Sequence, residues 1–274
     1  MKNLLMQLWK GPTLNEEART SSKLMKAYAK RIGAEYKLFR DTTFADKLSD
    51  DPLYYEWLGI MFEKEQEKYD KICQVDLDIF PVENLEESIF DVDIGEFGVC
   101  QEPFQGKQRA TVTVGGGINM VNDERWASAV SKKYGSKLPR DDERYLKAFN
   151  AGMTILTREG IQKVKHTWGA IQEYINYIRN KGIPRFYTYD QNYMLSQFTS
   201  TDTDWKVMPN GWNSQIHYVR GPMSITMPIN DERTDDTKFV HVQLTGHQWN
   251  KEDLYSVVNE PQSKWKFPYQ GKID

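Results

Sequence analysis

In the stretch KICQVDLDIFP, Lys71 to Pro81, an apolar run ends in two aspartates with only Leu77 between them. Residues i and i+2 of an extended strand point to the same side. Asp76 and Asp78 therefore aim two carboxylates at one place, and their repulsion calls for a cation or a proton between them. Two hard oxygen ligands suit Mg²⁺ or Mn²⁺, which leave coordination positions for water and substrate phosphates. Acids also collect at strand ends to cap turn amides, and on position alone the two readings stand level.

Other stretches carry residues with chemistry. In FNAGM, Phe149 to Met153, Gly152 lets a ligand approach the backbone and Asn150 can bind sugar hydroxyls, or the pair can form a capped turn. In YDQNYML, Asp190 and Gln191 open a helical pattern, where an acid commonly caps the helix. WKVMPNGWNSQ, Trp205 to Gln215, places Asn213 after a Pro-Asn-Gly turn signal. HVQLTGHQW holds His241, Gly246 and His247. A histidine alone in an apolar strand such as FVHVQL is more often a hydrogen-bonded core residue, and His166 and His217 take that plain reading. Gly115 to Gly117 lack P-loop spacing and lysine, and read as a flexible loop lining an acceptor cleft. The KWKFPYQGK tail alternates bases with aromatics, which suits stacking on sugars or bases, a membrane surface, or packing on the domain; packing is favoured.

These residues need a scaffold, and the elements before KICQV supply the start of one. Asn3 to Trp9 reads as a buried strand stopped by Gly11-Pro12. A helix opens around Thr13 with acids in its first turn, carries Leu24, Ala27, Tyr28 and Ile32 on its apolar face, and closes at Gly33. Glu35 to Arg40 is a second strand, a helix from Asp51-Pro52 is carried by Leu53, Trp57, Ile60 and Met61, and Lys71 begins the third strand. Strand, helix, strand, helix, strand predicts a parallel sheet whose ligand crevice lies beyond the carboxyl ends of the strands. Asp76 and Asp78 sit at such an end.

Further along, strands are expected over Gly95 to Gln101, Ala110 to Val114, Ile118 to Val121, Phe149 to Leu156, Trp205 to Met208 and Phe239 to Leu244. A long helix is expected over Arg158 to Arg179 and a short one over Tyr189 to Phe198. GGGINMVNDERW and FNAGMTILTREG share a faint pattern of glycine, apolar strand and turn into a helix.

At 274 residues, 39% hydrophobic and 13% aromatic, the chain is long and apolar enough for a large core and excludes a disordered protein. A net charge of −3 argues against coating nucleic acid by bulk charge. Cys73 and Cys100 form no CxxC pair, which fits a reducing compartment. With neither a signal peptide pattern nor a membrane-length apolar run, the expectation is a soluble cytoplasmic protein.

Taken in order, the KICQVDLDIF, FNAGM, YDQN and HVQLTGHQW segments resemble the metal-dependent glycosyltransferases of the GT-A type, most closely glycosyltransferase family 8. That resemblance implies an α/β fold, a Rossmann-like, mixed but mostly parallel sheet flanked by helices. It implies a single domain, with residues 1–125 as the nucleotide-binding half and 126–274 as the acceptor half. It implies Asp76, Asp78 and His241 as metal ligands, Asp190 and Gln191 at the donor sugar's reactive face, and Asn150, Gly152, Asn213, Gly246 and His247 as donor contacts. The turn around Gln7 to Thr13 would cradle the nucleoside. The chain departs from the family pattern in its last motif: four residues separate His241 from Gly246, and His247 and Gln248 stand where the family has lysine and proline.

The implied reaction moves a sugar from a nucleotide-sugar, most simply a UDP-sugar, to an acceptor hydroxyl, with Mn²⁺ or Mg²⁺ and retention of anomeric configuration. A surface glycan is the default acceptor, and a hydroxymethylated DNA base is the acceptor if the chain is phage-encoded. The rival readings are an Asp-x-Asp phosphohydrolase, which usually places that motif on its first strand, and a non-catalytic glycan- or nucleic-acid-binding module.

Overall fold

The computed structural model describes residues 1–49, 52–103, 105–111, 117–218, 229–244 and 248–266. The first half runs β1 (Asn3–Trp9), α1 (Glu16–Arg31), β2 (Glu35–Arg40), α2 (Glu56–Met61), β3 (Lys71–Val75), β4 (Ile79–Pro81), β5 (Phe97–Glu102), α3 (Gln105–Thr111) and α4 (Met120–Tyr134). The second half runs β6 (Ala148–Thr157), α5 (Arg158–Thr167), α6 (Ile171–Asn180), α7 (Asp190–Phe198), β7 (Trp205–Val207), β8 (Ser214–Tyr218), β9 (Ile229–Asp231), β10 (Phe239–Gln243) and α8 (Lys251–Asn259).

Six strands form the main sheet in the order β2-β1-β3-β6-β5-β7. All its pairings are parallel except the two made by β6, which runs against its neighbours β3 and β5. The expected mixed, mostly parallel sheet is therefore present. Alternation along the strands splits the core. Leu4, Met6 and Ile72 face one apolar cluster with Trp126, Tyr174 and Phe198, while Leu5 and Cys73 face the other with Met25 and Tyr28. Each such side chain, removed from water, stabilises by roughly 1.5–3 kcal/mol before chain entropy is counted.

Helix α1 begins where Asn15 accepts the Ala18 N–H at 2.7 Å, with Glu16 and Glu17 in the first turn. Its buried face is the expected one only in part: Tyr28 is buried and Ile32 packs on the core, while Ala27 is exposed. Ala18, Ser21, Met25, Tyr28 and Ala29 point inward, whereas Leu24 is 37% exposed. Ser21 masks this stripe in the sequence. Its hydroxyl is buried because it donates to the Ile79 carbonyl at 2.6 Å and accepts from Gln7 at 2.8 Å.

Three other expectations are overturned. Ala110 and Thr111 end helix α3 instead of starting a strand, and residues 112–116, with Gly115 and Gly116, lie outside the described residues. Ile118 to Val121 is a helix start, because Asn119 caps α4 by accepting the Asn122 N–H. This removes the suggested internal repeat. The long helix over Arg158 to Arg179 is two helices, α5 and α6, broken at Trp168, Gly169 and Ala170. The sequence reading also omits α8 and a second sheet, ordered β4-β10-β8-β9, packed on α8 through Phe80, Val240, Leu254 and Val257.

A candidate metal centre in the cleft

Strand β3 stops at Val75, so Asp76 and Asp78 lie in the turn that leads to β4 and not on the strand itself. Two backbone hydrogen bonds fix that turn from opposite sides. The Asp76 N–H donates to the Gly152 carbonyl at 2.7 Å, and the Asp78 carbonyl accepts the Val242 N–H at 2.9 Å. The second bond extends the antiparallel pairing of β4 with β10, in which His241 stands opposite Ile79. Pairing thus carries His241 to the aspartates across more than half the chain. One ligand atom from each of Asp76, Asp78 and His241 lies within 4.8 Å of the others.

The approach is close because position 152 lacks a side chain. A β-carbon there would stand 2.7 Å from Asn150 Oδ1, 2.8 Å from His241 Cε1 and 3.1 Å from Asp76 Oδ2. Strand β6 is irregular at this point. Val99 pairs with Thr154 and Cys100 with Asn150, so Ala151, Gly152 and Met153 have no partner on β5. Bulges of this kind re-aim side chains beside functional sites.

The cluster forms one wall of a cleft of about 450 Å³, also lined by Glu17, Trp57, Asp190 and Gln191. The wall is strongly acidic. Burial and then the neighbouring Asp78 push the Asp76 carboxyl up to about 8. Asp76 still has surface open to the cleft, so this is the desolvation of a recessed wall. Burial raises Asp190 to about 7 even though the Trp57 indole donates to it at 2.8 Å. Glu17 also reaches about 7, from burial and then from Asp78. Burial works to lower the His241 imidazole, but Asp78 outweighs it and the net shift is upward. Nε2 of His241 is 3.3 Å from Asp78 Oδ1. A divalent cation satisfies this donor set: hard carboxylate oxygens beside one imidazole nitrogen, with like charges left to neutralise.

The other expected site residues fall into three groups. Asp190, Gln191, Asn150 and Gly152 line the cleft with the triad. Asn213 is buried behind it and bonds His241 Nδ1 at 3.1 Å. Gln7 is buried with its amide fully engaged: it donates to Ser21 and to the Asp76 carbonyl at 3.0 Å, and accepts from Tyr36 at 2.9 Å. Thr13 is exposed and does not line the cleft, where Leu8, Trp9, Lys10 and Asn15 represent the β1–α1 turn. Gly246 and His247 lie outside the described residues, as does the tail from Phe267. His217 sits in the small sheet, 3.0 Å from Asn230.

Sequence reasoning missed Gln74, whose amide holds Asp76 Oδ1 at 2.8 Å, and the cleft position of Glu17. Gln74 precedes Asp76 by the strand period, a usable signal; Glu17 looked like an ordinary dipole partner.

Among solved structures, the bifunctional glycosyltransferase WbbM in its apo form superposes with a TM-score of 0.50 at 13% identity, over 78% of this chain. This chain has a glycosyltransferase fold of the GT-A type. The match spans 40% of WbbM's own length. A glycosyltransferase involved in glycosylation of the major capsid of PBCV-1 scores 0.48 at 10% identity, covering 88% of this chain and 92% of that one. Mouse xyloside xylosyltransferase 1 scores 0.48 at 13% identity, covering 78% and 88%. No protein-family model matches the sequence, and no curated protein matches it significantly. Among the described residues no helix is long and apolar enough to cross a membrane.

Proposed function

We propose that this protein is a metal-dependent glycosyltransferase that moves a sugar from a nucleoside-diphosphate sugar to an acceptor hydroxyl. The convergence of Asp76, Asp78 and His241 within 4.8 Å, in the cleft of a glycosyltransferase fold, carries the reading. In it the whole chain acts as one domain, with residues 1–125 holding the nucleotide and 126–274 the acceptor side.

Asp76, Asp78 and His241 would hold Mn²⁺ or Mg²⁺, and the bound ion would neutralise charge on the departing nucleoside diphosphate. Gln74 orients the Asp76 carboxylate through its 2.8 Å hydrogen bond. Trp9, Lys10 and Asn15 stand where the nucleoside enters. Asp190 and Gln191 face the donor sugar from the start of α7, and Trp57 fixes the Asp190 carboxylate. In a family 8-like retaining route the leaving phosphate accepts the acceptor's proton, so no dedicated protein base is required. A UDP-sugar is the first donor to try. A glycan hydroxyl is the first acceptor, followed by hydroxymethylated DNA.

The reading is tested by incubating the protein with a panel of nucleotide-sugars and Mn²⁺, beside Asp76→Asn and Asp78→Asn variants. Release of nucleoside diphosphate by the wild type, lost in both variants and in chelator, is expected. Turnover that survives either substitution, or release of phosphate from a phosphomonoester with no donor consumed, overturns it.

A further inference from the structure

Behind the metal cluster a chain of buried side chains runs Glu102, Asn150, Asn213, His241, each less than a tenth exposed. Glu102 Oε1 receives Asn150 Nδ2 at 2.9 Å, Asn150 Oδ1 receives Asn213 Nδ2 at 3.1 Å, and Asn213 Oδ1 meets His241 Nδ1 at 3.1 Å. Amide and imidazole orientations follow from the network around them, and this network has two anchors of fixed polarity. The Gly152 backbone N–H can only donate, and it points at Asn150 Oδ1 at 2.8 Å. The Glu102 carboxylate accepts, with the Arg109 guanidinium 3.7 Å from its other oxygen as counter-charge.

Those anchors leave one arrangement. Asn150 must turn its NH₂ to Glu102 and its oxygen to Gly152 and Asn213. Asn213 must then present its own oxygen to His241, because the flipped amide would set oxygen against oxygen. Nδ1 of His241 therefore carries a proton, and Nε2 is the nitrogen turned toward Asp78 and the other ligands. The Gln243 amide lies 3.2 Å from Nε2 on the other side, and its own orientation follows from the His241 tautomer.

We infer that Asn213 is a positioning residue for the metal: with Asn150 it holds His241 as the Nδ1–H tautomer, ring plane fixed and Nε2 free to ligate. The inference rests on the metal-centre reading and gives Asn150 and Asn213 a positioning role beside the expected donor contacts. Groups that orient a ligating histidine in this way typically govern metal affinity by about 10–100-fold.

The test is Mn²⁺ binding to the full chain without nucleotide, followed by electron paramagnetic resonance of free Mn²⁺. Asn213→Leu, close in shape but unable to accept the Nδ1 proton, is placed in the wild-type and His241→Ala backgrounds. Asn213→Ala, which also lacks an acceptor, serves in its place if the leucine variant does not fold. An affinity loss of about 10–100-fold in the wild-type background is expected, with a change below about two-fold in the His241→Ala background. A loss below about two-fold in the wild type, or an equal loss in both backgrounds, overturns the inference alone. A wild-type chain that binds no Mn²⁺ overturns the metal-centre reading and this inference with it.

Discussion

The carbonyl of Gly152 takes the backbone N–H of Asp76 at 2.7 Å, and the missing β-carbon of the same glycine leaves the space where Asp76 and His241 meet. One residue thus both pins the turn and opens the cluster. Gly152→Ala would press a methyl against His241 Cε1 and Asn150 Oδ1, contacts under 3.0 Å. Overpacking of this kind costs about 1–3 kcal/mol. The expected result is a lower melting temperature together with at least a tenfold loss of Mn²⁺ affinity, roughly what misplaced ligands cost. Unchanged metal binding would mean the cluster tolerates the displacement and is not tuned for an ion.

Asp76 supplies a pH test. Its carboxyl sits at about 8, far above the ordinary carboxylate range, because of burial and Asp78. A raised acid stabilises the fold below its unfolded value, and that contribution is lost as pH rises through the folded value. A cation needs the carboxylate, so binding must displace the proton. The rise in melting temperature on adding Mn²⁺ should therefore grow between about pH 6 and about pH 8. A rise that is equal at both ends, or larger at the acid end, contradicts the assignment.

Asp190 is raised to about 7 by burial, and the Trp57 indole opposes that shift by donating to the carboxylate at 2.8 Å. Trp57→Phe removes a donor that favours the charged form, so the acid limb of the pH–rate profile should move to higher pH. Asp190→Asn removes a fixed charge facing the donor sugar and should lower turnover by about a hundredfold, with a much smaller effect on Mn²⁺ affinity. An unmoved acid limb in the first variant, or full activity in the second, would remove Asp190 from the reaction.

Gln7 separates scaffold from donor contact. Its amide donates to Ser21 and to the Asp76 carbonyl and accepts from Tyr36, all inside the fold. Gln7→Met keeps the bulk and deletes those bonds, at a cost of about 1–3 kcal/mol for the polar atoms left behind. Chemical denaturation should register that loss. Full stability with a raised KM for the donor would instead make Gln7 a donor contact.

Much of this was legible in the sequence, for physical reasons. Strands β1, β3 and β6 carry strong apolar runs, β2 shows an alternating pattern, and the Asp76–Asp78 spacing survives the move from strand to turn. The small sheet was not legible: β4 and β9 have three residues each, too few for a period to show. Ile118 to Val121 misled because three apolar residues in four fit a strand or a helix start alike, and the Asn119 cap decides it. The relay from Glu102 to His241 had no local signal. Its members are polar, far apart in sequence, and joined only when β5, β6, β10 and the turn leading into β8 come together.

The central claim is that Asp76, Asp78 and His241 hold a divalent ion against a nucleoside diphosphate. Crystals soaked in Mn²⁺ and UDP test it most directly, through the anomalous scattering of manganese. A peak is expected within ligand distance, about 2.0–2.2 Å, of all three side chains, with diphosphate oxygens completing the shell. A manganese peak elsewhere, with the three side chains unligated while UDP occupies the cleft, would contradict it.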